Sequence, residues 1–448
     1  MKRERKMCKA QHYHKSVSSS FVIGNRLKKI SSEFKEILDI SSELAALLDS
    51  KVYLVGGVVR DLILEKDVFD LDIVVEGDAI LVAKEVAQRI GGEFNKHHNF
   101  GTATVAFKDY KVDFATARTE KYLSLGSLPK VRPDSLIQDL SRRDFTINAM
   151  AISLNKPDYG KLIDSYNGLA DLRKRLIRTL HPRSFLEDPT RILRAIRFEQ
   201  RFRFIIEGDT FKLMKEAINS KALKLVNPHR LRDEIVLILK EPDPCRYIKR
   251  IKELEGFLFL DDKIKLDKRS FQFFLRLQRA VSHYQKKFKK HRTLQVWLMY
   301  LAGILIKLDP ERMEKVFHDF GFRKGERIII RSIKVGVNKI KRADKNIKAY
   351  LLHRLMSPYS FESILFFYAY YPRRSLRKNI ENFLDKLIKI RLKTRGRDLK
   401  ALNLRPFTLY SKALKKLLYV KIEKGLKTKK EELMELKYIF KNLVKSRR

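Results

Sequence analysis

The sequence predicts an α+β protein: a small mixed-sheet head near the N-terminus, then an extended all-helical remainder. Three observations carry that expectation. Between about residues 51 and 154, short β-branched runs alternate with glycine turns and amphipathic helical patterns. Beyond about residue 215 the pattern is helical almost throughout, without glycine-rich loops or acidic clusters. The chain has 448 residues, 44% of them hydrophobic. That is enough for roughly two to four domains and a sizeable core.

Charge narrows the partners. Lys and Arg total 97 against 53 Asp and Glu, a formal charge of +44. Such an excess on a folded chain argues for a polyanion. Nucleic acid fits better than membrane, because the basic residues are dispersed and no amphipathic anchor appears. A lysine-rich proteome background can supply part of the excess. No apolar run approaches the ~18–20 residues needed to cross a bilayer. Residues 1–27 are basic without an apolar core, so they read as a flexible tail rather than a secretory signal. Two cysteines, Cys8 and Cys245, can build neither a disulfide framework nor a zinc site, which points to a reducing cytoplasm.

The elements follow in order. A helix is expected over 31–48 and a strand over 52–55. Gly56 and Gly57 then allow a tight turn with close backbone approach. A helical pattern, VVRDLIL, leads to a strand over 71–75 that starts just after Asp70. Strand alternation puts Asp70 and Asp72 on one face and Leu71 and Ile73 on the other. Two carboxylates side by side repel each other, and a divalent cation between them reverses that sign. Residues 79–90 form an amphipathic helix ended by Gly91-Gly92. His97 and His98 sit near the helix-to-strand loop and receive no role. Strands at 103–107 and 110–114 are joined by a Lys108-Asp109 turn. Asp113, on the second of these, is either a third metal carboxylate or an edge residue facing water.

Residues 115–139 turn polar, with Gly126, Pro129 and Pro133, and read as a long loop of the kind that forms lids. SRRDFTINAMAISL follows and runs into a strand over 149–154. Asp164, Gly168 and Asp171 mark a turn. A helix is expected from Phe185, with Asp188 as cap and Pro189 in its first turn. Along it Arg191, Arg194 and Arg197 recur every third residue, a pattern that a solvated charge stripe explains without any function. Basic clusters at 286–292, 339–348, 373–378, 386–397 and 424–430 punctuate the remainder. Phe366, Phe367, Tyr368, Tyr370 and Tyr371 are assigned to helix core.

Strand, Gly-Gly, helix and Asp-x-Asp strand together give a phosphate cradle near a metal pair. With LVGGVVRD and its D-L-D, RRDFTINAM, the Asp164 to Asp171 turn, EDPTRILRAIRFEQRF and a looser RGRDLKALNLRP, the chain resembles the class II nucleotidyltransferases. These are the tRNA CCA-adding enzymes and bacterial poly(A) polymerases. The segments run from about residue 52 to about 406, in family order. One departure stands in the tail, where Arg405-Pro406-Phe407-Thr408 replaces the family's Pro-Gly-Pro-like turn.

The resemblance implies a polymerase β-like nucleotidyltransferase head over 28–155 and a neck with a base-recognition helix over 156–240. A tRNA-binding body and tail would fill 241–448. It implies that Asp70 and Asp72, with Asp113 as a further catalytic carboxylate, work with two Mg2+ ions per site. Gly56 and Gly57 would cradle the triphosphate. Arg143 and Asp144 would recognise the ribose, and Glu187, Asp188 and Arg191 the base. Arg60, Asn148, Arg194 and Arg197 complete the nucleotide-binding set. The implied substrates are ATP and CTP, and the implied partner is tRNA, through its acceptor arm and elbow. The product would be the CCA end or its terminal A alone, which needs a separate CC-adding enzyme upstream. Poly(A) addition to RNA 3′ ends is the alternative.

Base reading also has a physical argument. Adenine and cytosine each offer an amino donor beside a ring acceptor, which one carboxylate and one guanidinium satisfy. Guanine and uracil present the reverse pattern and leave such groups unpaired.

Overall fold

In a computed structural model of the chain, residues 26–27, 30–68, 70–97, 101–121, 126–127, 129–288, 293–341 and 347–445 are described. The expected tail at 1–25 with Cys8, His98, and basic residues at 289–292 and 342–346 lie outside them. The chain divides into two compact units, 1–230 and 231–448.

The first unit is built on a seven-stranded sheet. Its strands are β1 (Lys51–Val55), β2 (Asp70–Glu76), β3 (Glu93–His97), β4 (Thr102–Phe107), β5 (Tyr110–Thr116), β8 (Ala151–Ser153) and β9 (Leu162–Ile163), in the order β3-β4-β5-β2-β1-β8-β9. Two further strands, β6 (Arg118–Lys121) and β7 (Lys130–Pro133), pair apart from it. The sheet is mixed because β2 and β5 run parallel while the other pairs are antiparallel.

Alternation along β2 buries Leu71 and Ile73 and leaves Asp70 and Asp72 on the open face. The parallel register sets Asp72 opposite Asp113. The helix Ala79–Ile90 covers the sheet with Ala79, Val82, Ala83, Val86 and Ala87. Its start is capped by Asp78, which accepts from the Ile80 and Leu81 amides, and Gly91 stops it at φ 67°. Helix Ser32–Leu47 is capped by Ser31 and buries Phe34, Ile37 and Leu38.

Three local expectations are corrected. Residues 93–97, for which no strand was expected, form edge strand β3. Only Phe94 is strongly apolar there, and an edge strand paired on one side gives a weak alternation signal. Residues 115–139 are not one open loop: β6 and β7 pair as a hairpin, and a helix follows at Leu136–Ser141. A polar stretch meets its backbone hydrogen-bonding demand this way without any apolar pattern. The helix expected from Phe185 is two helices, Ser184–Glu187 and Thr190–Phe202, broken at Asp188-Pro189. Proline disfavours helical backbone in the residue before it, and Asp188 sits at φ −132°, ψ 90°.

The second unit is helical. Helices Lys268–Phe288 and Phe361–Tyr370 pack through Phe273 and Phe366, whose rings are 4.7 Å apart. Phe366 and Phe367 are fully buried, as the assignment to core requires. Gly303 lets the Phe273 and Phe274 rings pack close to its own helix, since a Cβ there would lie 2.6 Å from Phe273 Cε1 and 2.7 Å from Phe274 Cε1. A separate cluster of Leu399, Leu409, Ala413, Leu417, Leu436 and Phe440 holds the tail together. Among the described residues no helix is long and apolar enough to cross a membrane.

Candidate active site

The open end of the sheet in the first unit carries a cavity of about 540 Å³. The β1 strand delivers Gly56 and Gly57 to its floor. Gly56 has φ +74°, and a Cβ on it would fall 2.7 Å from Arg143 Nη1, so a glycine is what lets backbone, guanidinium and Asp72 converge. The Gly56 N–H donates to the Met150 carbonyl at 3.3 Å. Asp72 reaches the cavity from β2. Burial pushes its carboxyl up, against the opposing charge of Arg143, and the neighbouring Asp113 and Asp70 push further the same way.

Asp113 accepts from Thr104 Oγ1 and Lys111 Nζ, both at 2.6 Å. Asp70 and Asp113 do not line the cavity itself. Among the described residues no group of three His, Cys, Asp or Glu side chains is placed to hold a metal ion. The donor set nevertheless suits a divalent cation, because Asp72 is a carboxylate whose ionised form is disfavoured by burial and by two like neighbours.

RRDFTINAM forms the second wall, through the helix Leu136–Ser141 and a 3-10 turn at Thr146–Asn148. Arg142 bonds Asp139 and Glu120, and Arg143 bonds Asp139 Oδ2 at 2.8 Å. Burial works against ionised Asp139, but Arg143 and Arg142 together hold its pKa below the usual range. Arg143 Nε is buried with no hydrogen-bond partner, a donor available to a ligand oxygen.

Asp144 accepts four N–H groups. Its Oδ1 takes Phe145 N at 2.8 Å and Asn148 Nδ2 at 2.9 Å. Its Oδ2 takes Arg194 Nε at 2.9 Å and Nη2 at 2.7 Å. Burial alone would raise its pKa, but Arg194 and Asn148 bring it down to about 2. Asn148 passes the network on, its Oδ1 accepting from Arg60 Nη1 at 2.5 Å. Arg60, 4% exposed, lies 4.6 Å from the Phe202 ring centroid.

Helix Thr190–Phe202 and Asp188 before it supply the third wall. Arg191 and Arg197 are buried rather than solvated, and Arg194 is held by Asp144, so the three-residue arginine repeat faces the cavity instead of water. Arg191 donates to Ser184 Oγ and to the Arg142 carbonyl, both at 2.6 Å. Asp188 stands outside the helix, beside Arg191 and not one turn before it on the same face. Glu187 does not line the cavity; it lies 3.6 Å from both His181 and Arg183.

Seven lining residues lie outside the expected site set: Arg118 and Glu120 on β6, Pro129, Arg142, Phe198, Arg201 and Arg230. Arg142, Phe198 and Arg201 sit inside quoted motifs and were open to notice, whereas nothing in spacing points to the others. Altogether nine arginines line the cavity against four acids, Asp72, Glu120, Asp144 and Asp188. That balance suits a polyphosphate, and the guanidinium fork suits its oxygens.

Comparison with known proteins agrees. The poly A polymerase head domain family matches residues 52–178. An A-adding tRNA nucleotidyltransferase of Aquifex aeolicus (strain VF5) is 39% identical over 346 residues, 76% of this chain. The chain spans 41% of that relative's own length. The structure of the Thermotoga maritima CCA-adding enzyme complexed with tRNA superposes with a TM-score of 0.72 at 30% identity, over 92% of this chain and 97% of that one. A CCA-adding enzyme in complex with ATP gives 0.75 at 30% identity, over 96% and 98%. With motifs, sheet, arginine-lined cavity and near-complete structural coverage in agreement, the chain belongs to the class II family of tRNA nucleotidyltransferases and poly(A) polymerases.

Proposed function

We propose that the chain is a tRNA 3′-terminal nucleotidyltransferase that adds the last A of the CCA end. The observation that carries this reading is the cavity lined by Asp72 of the Asp-x-Asp strand, by Asp188 and by nine arginines, Arg191 among them. Identity to an A-adding relative supports the single-A product. A separate CC-adding enzyme would then act upstream, and the +44 charge suits a tRNA partner in the cytoplasm.

In the reaction, the 3′-hydroxyl oxygen of the RNA attacks the α-phosphorus of ATP. The bond to the β-phosphate oxygen breaks, and pyrophosphate leaves. Asp70 and Asp72, with Asp113 beside them, would hold two Mg2+ ions, which supply charge neutralisation and activate the hydroxyl. The chain's own residues do the positioning. Space at Gly56 and Gly57 admits the triphosphate, and the arginines balance its charge. Arg143, with its unpartnered Nε, and Asp144 serve the ribose. Asp188 and Arg191 read the base edge. Phosphoryl-type transfer asks for such positioning and needs no covalent nucleophile.

The test uses labelled ATP or CTP with tRNA transcripts ending at the discriminator base, in -C or in -CC, resolved at single-nucleotide length. Growth of the -CC transcript alone, by one A, is expected. Growth of all three to -CCA would replace the A-only reading by full CCA addition. Long A ladders on unstructured RNA would replace it by poly(A) polymerase activity. Asp70→Ala should abolish transfer and leave tRNA binding intact; transfer at the normal rate would refute the metal assignment.

A further inference from the structure

We infer that Asp139 is a positioning residue for the metal site: it holds Arg143 off Asp72, so that Asp72 stays open to a divalent cation. The inference rests on the metal reading of the cavity given above. Arg143 stands between two acids. Its Nη2 donates to Asp139 Oδ2 at 2.8 Å. Its Nη1 lies over Gly56, where a Cβ would fall 2.7 Å from it and 3.7 Å from Asp72 Oδ2. Arg143 is the strongest positive neighbour of Asp72, ahead of Lys111. Even so, among the described residues its ion pair is with Asp139 and not with Asp72.

Asp139 can win that contest because the fold fixes it. Its side chain is fully buried on helix Leu136–Ser141. The Leu136 N–H at the start of this helix donates to Glu76 Oε1, and Glu76 Oε2 accepts from Tyr53 OH at 3.1 Å. Glu76 ends β2, the strand that carries Asp72. One strand therefore fixes Asp72 directly and Asp139 through its helix.

The two arginines that Asp139 holds are not equivalent. Arg142 has other acceptors, Glu120 Oε1 at 2.7 Å and the Arg118 carbonyl at 3.2 Å. The Arg143 side chain has Asp139 alone among the described residues. A guanidinium that is mostly buried and loses its partner carries a large desolvation cost, so it turns to the nearest acid still open. Of the four acids lining the cavity, Glu120, Asp144 and Asp188 already pair with Arg142, Arg194 and Arg230. Asp72 is the one that remains. A guanidinium seated on it would occupy its oxygens and repel a divalent cation.

The experiment titrates the full chain with Mn2+, a paramagnetic substitute for Mg2+, and follows free Mn2+ by electron paramagnetic resonance. Wild type, Asp72→Asn, Asp139→Asn, Arg143→Gln and the Asp139→Asn/Arg143→Gln double variant are compared, with thermal unfolding of each. Asp139→Asn should weaken Mn2+ binding about tenfold. Arg143→Gln should bind at least as tightly as wild type. The double variant should match Arg143→Gln within about twofold, because Asp139 acts only through Arg143. That last comparison decides the matter if Asp139→Asn fails to fold, since the double variant strands no guanidinium at position 143.

Wild-type Mn2+ affinity in Asp139→Asn overturns the proposal. So does a double variant about tenfold weaker than Arg143→Gln, which would make the charge of Asp139 itself, or the integrity of the wall, responsible. If the wild type binds no Mn2+, or Asp72→Asn binds it equally well, the metal reading fails and this proposal falls with it. If Mn2+ binds through Asp72 but no tRNA is extended, only the transfer reading fails, and the Mn2+ affinities still decide Asp139.

Discussion

Replacing Asp144 by Asn tests the buried network that joins head and neck residues around the cavity. The carboxylate is 8% exposed and accepts four N–H donors, two on each oxygen. An amide has one acceptor oxygen, so in either orientation its NH2 meets N–H groups. The pKa falls from the usual 3.8 to about 2. At about 1.36 kcal/mol per unit this links about 2.4 kcal/mol of stability to ionisation. Because the folded pKa is the lower one, that stability is fully present above about pH 5 and is lost as pH falls through 3.8 toward 2. By pH 3 about 1 kcal/mol should be gone.

Loss of the pair with Arg194, which is 31% exposed and can rehydrate, should therefore cost about 2–3 kcal/mol at neutral pH. The gap between wild type and Asp144→Asn should narrow by about 1 kcal/mol between pH 6 and pH 3. The single tryptophan, Trp297, lies in the other unit, so fluorescence would report on the wrong part. Urea unfolding followed by hydrogen exchange over residues 142–150 reads the right one. A gap that is the same at pH 6 and pH 3 would refute the reasoning, since the carboxylate would then gain nothing from the fold.

Two glycines separate effects on the cavity from effects on the helical unit. Gly56→Ala places a Cβ 2.7 Å from Arg143 Nη1 on a backbone at φ +74°. It should lower stability by about 1–2 kcal/mol and nucleotide incorporation by more than about tenfold, because Arg143 is displaced; incorporation at the wild-type rate would sink the cradle argument. Gly336→Ala puts a Cβ 2.2 Å from Phe367 Cζ and 2.9 Å from Tyr359 Cε1, against a ring that is fully buried. Overpacking of about 1–3 kcal/mol should appear in Trp297-monitored unfolding. ATP affinity, which depends on the other unit, should stay within about twofold of wild type by calorimetry, and a larger loss would contradict that independence.

The sequence by itself determined the elements whose partners are close in the chain. The Gly56-Gly57 turn, the alternation of β2 and the helix over 79–90 depend on periodicity and on backbone freedom, both local properties. Motifs of several residues also carried the site's main walls, since RRDFTINAM and EDPTRILRA bring their own turns and helices with them. The helical second half was legible for the same reason, its apolar face repeating within each segment.

Tertiary structure decided what depends on distant pairing. Edge strand β3 and the β6–β7 hairpin are held by cross-strand hydrogen bonds, which leave little trace in a polar sequence. The arginines at 191, 194 and 197 read equally well as a solvated stripe. Asp144 turns Arg194 inward and the Ser184 and Arg142 oxygens turn Arg191 inward, all of them contributed by other segments. Arg230 meets a carboxylate 42 residues earlier. Charge complementarity acts through space and sets no spacing along the chain, so that contact exists only once the neck has folded.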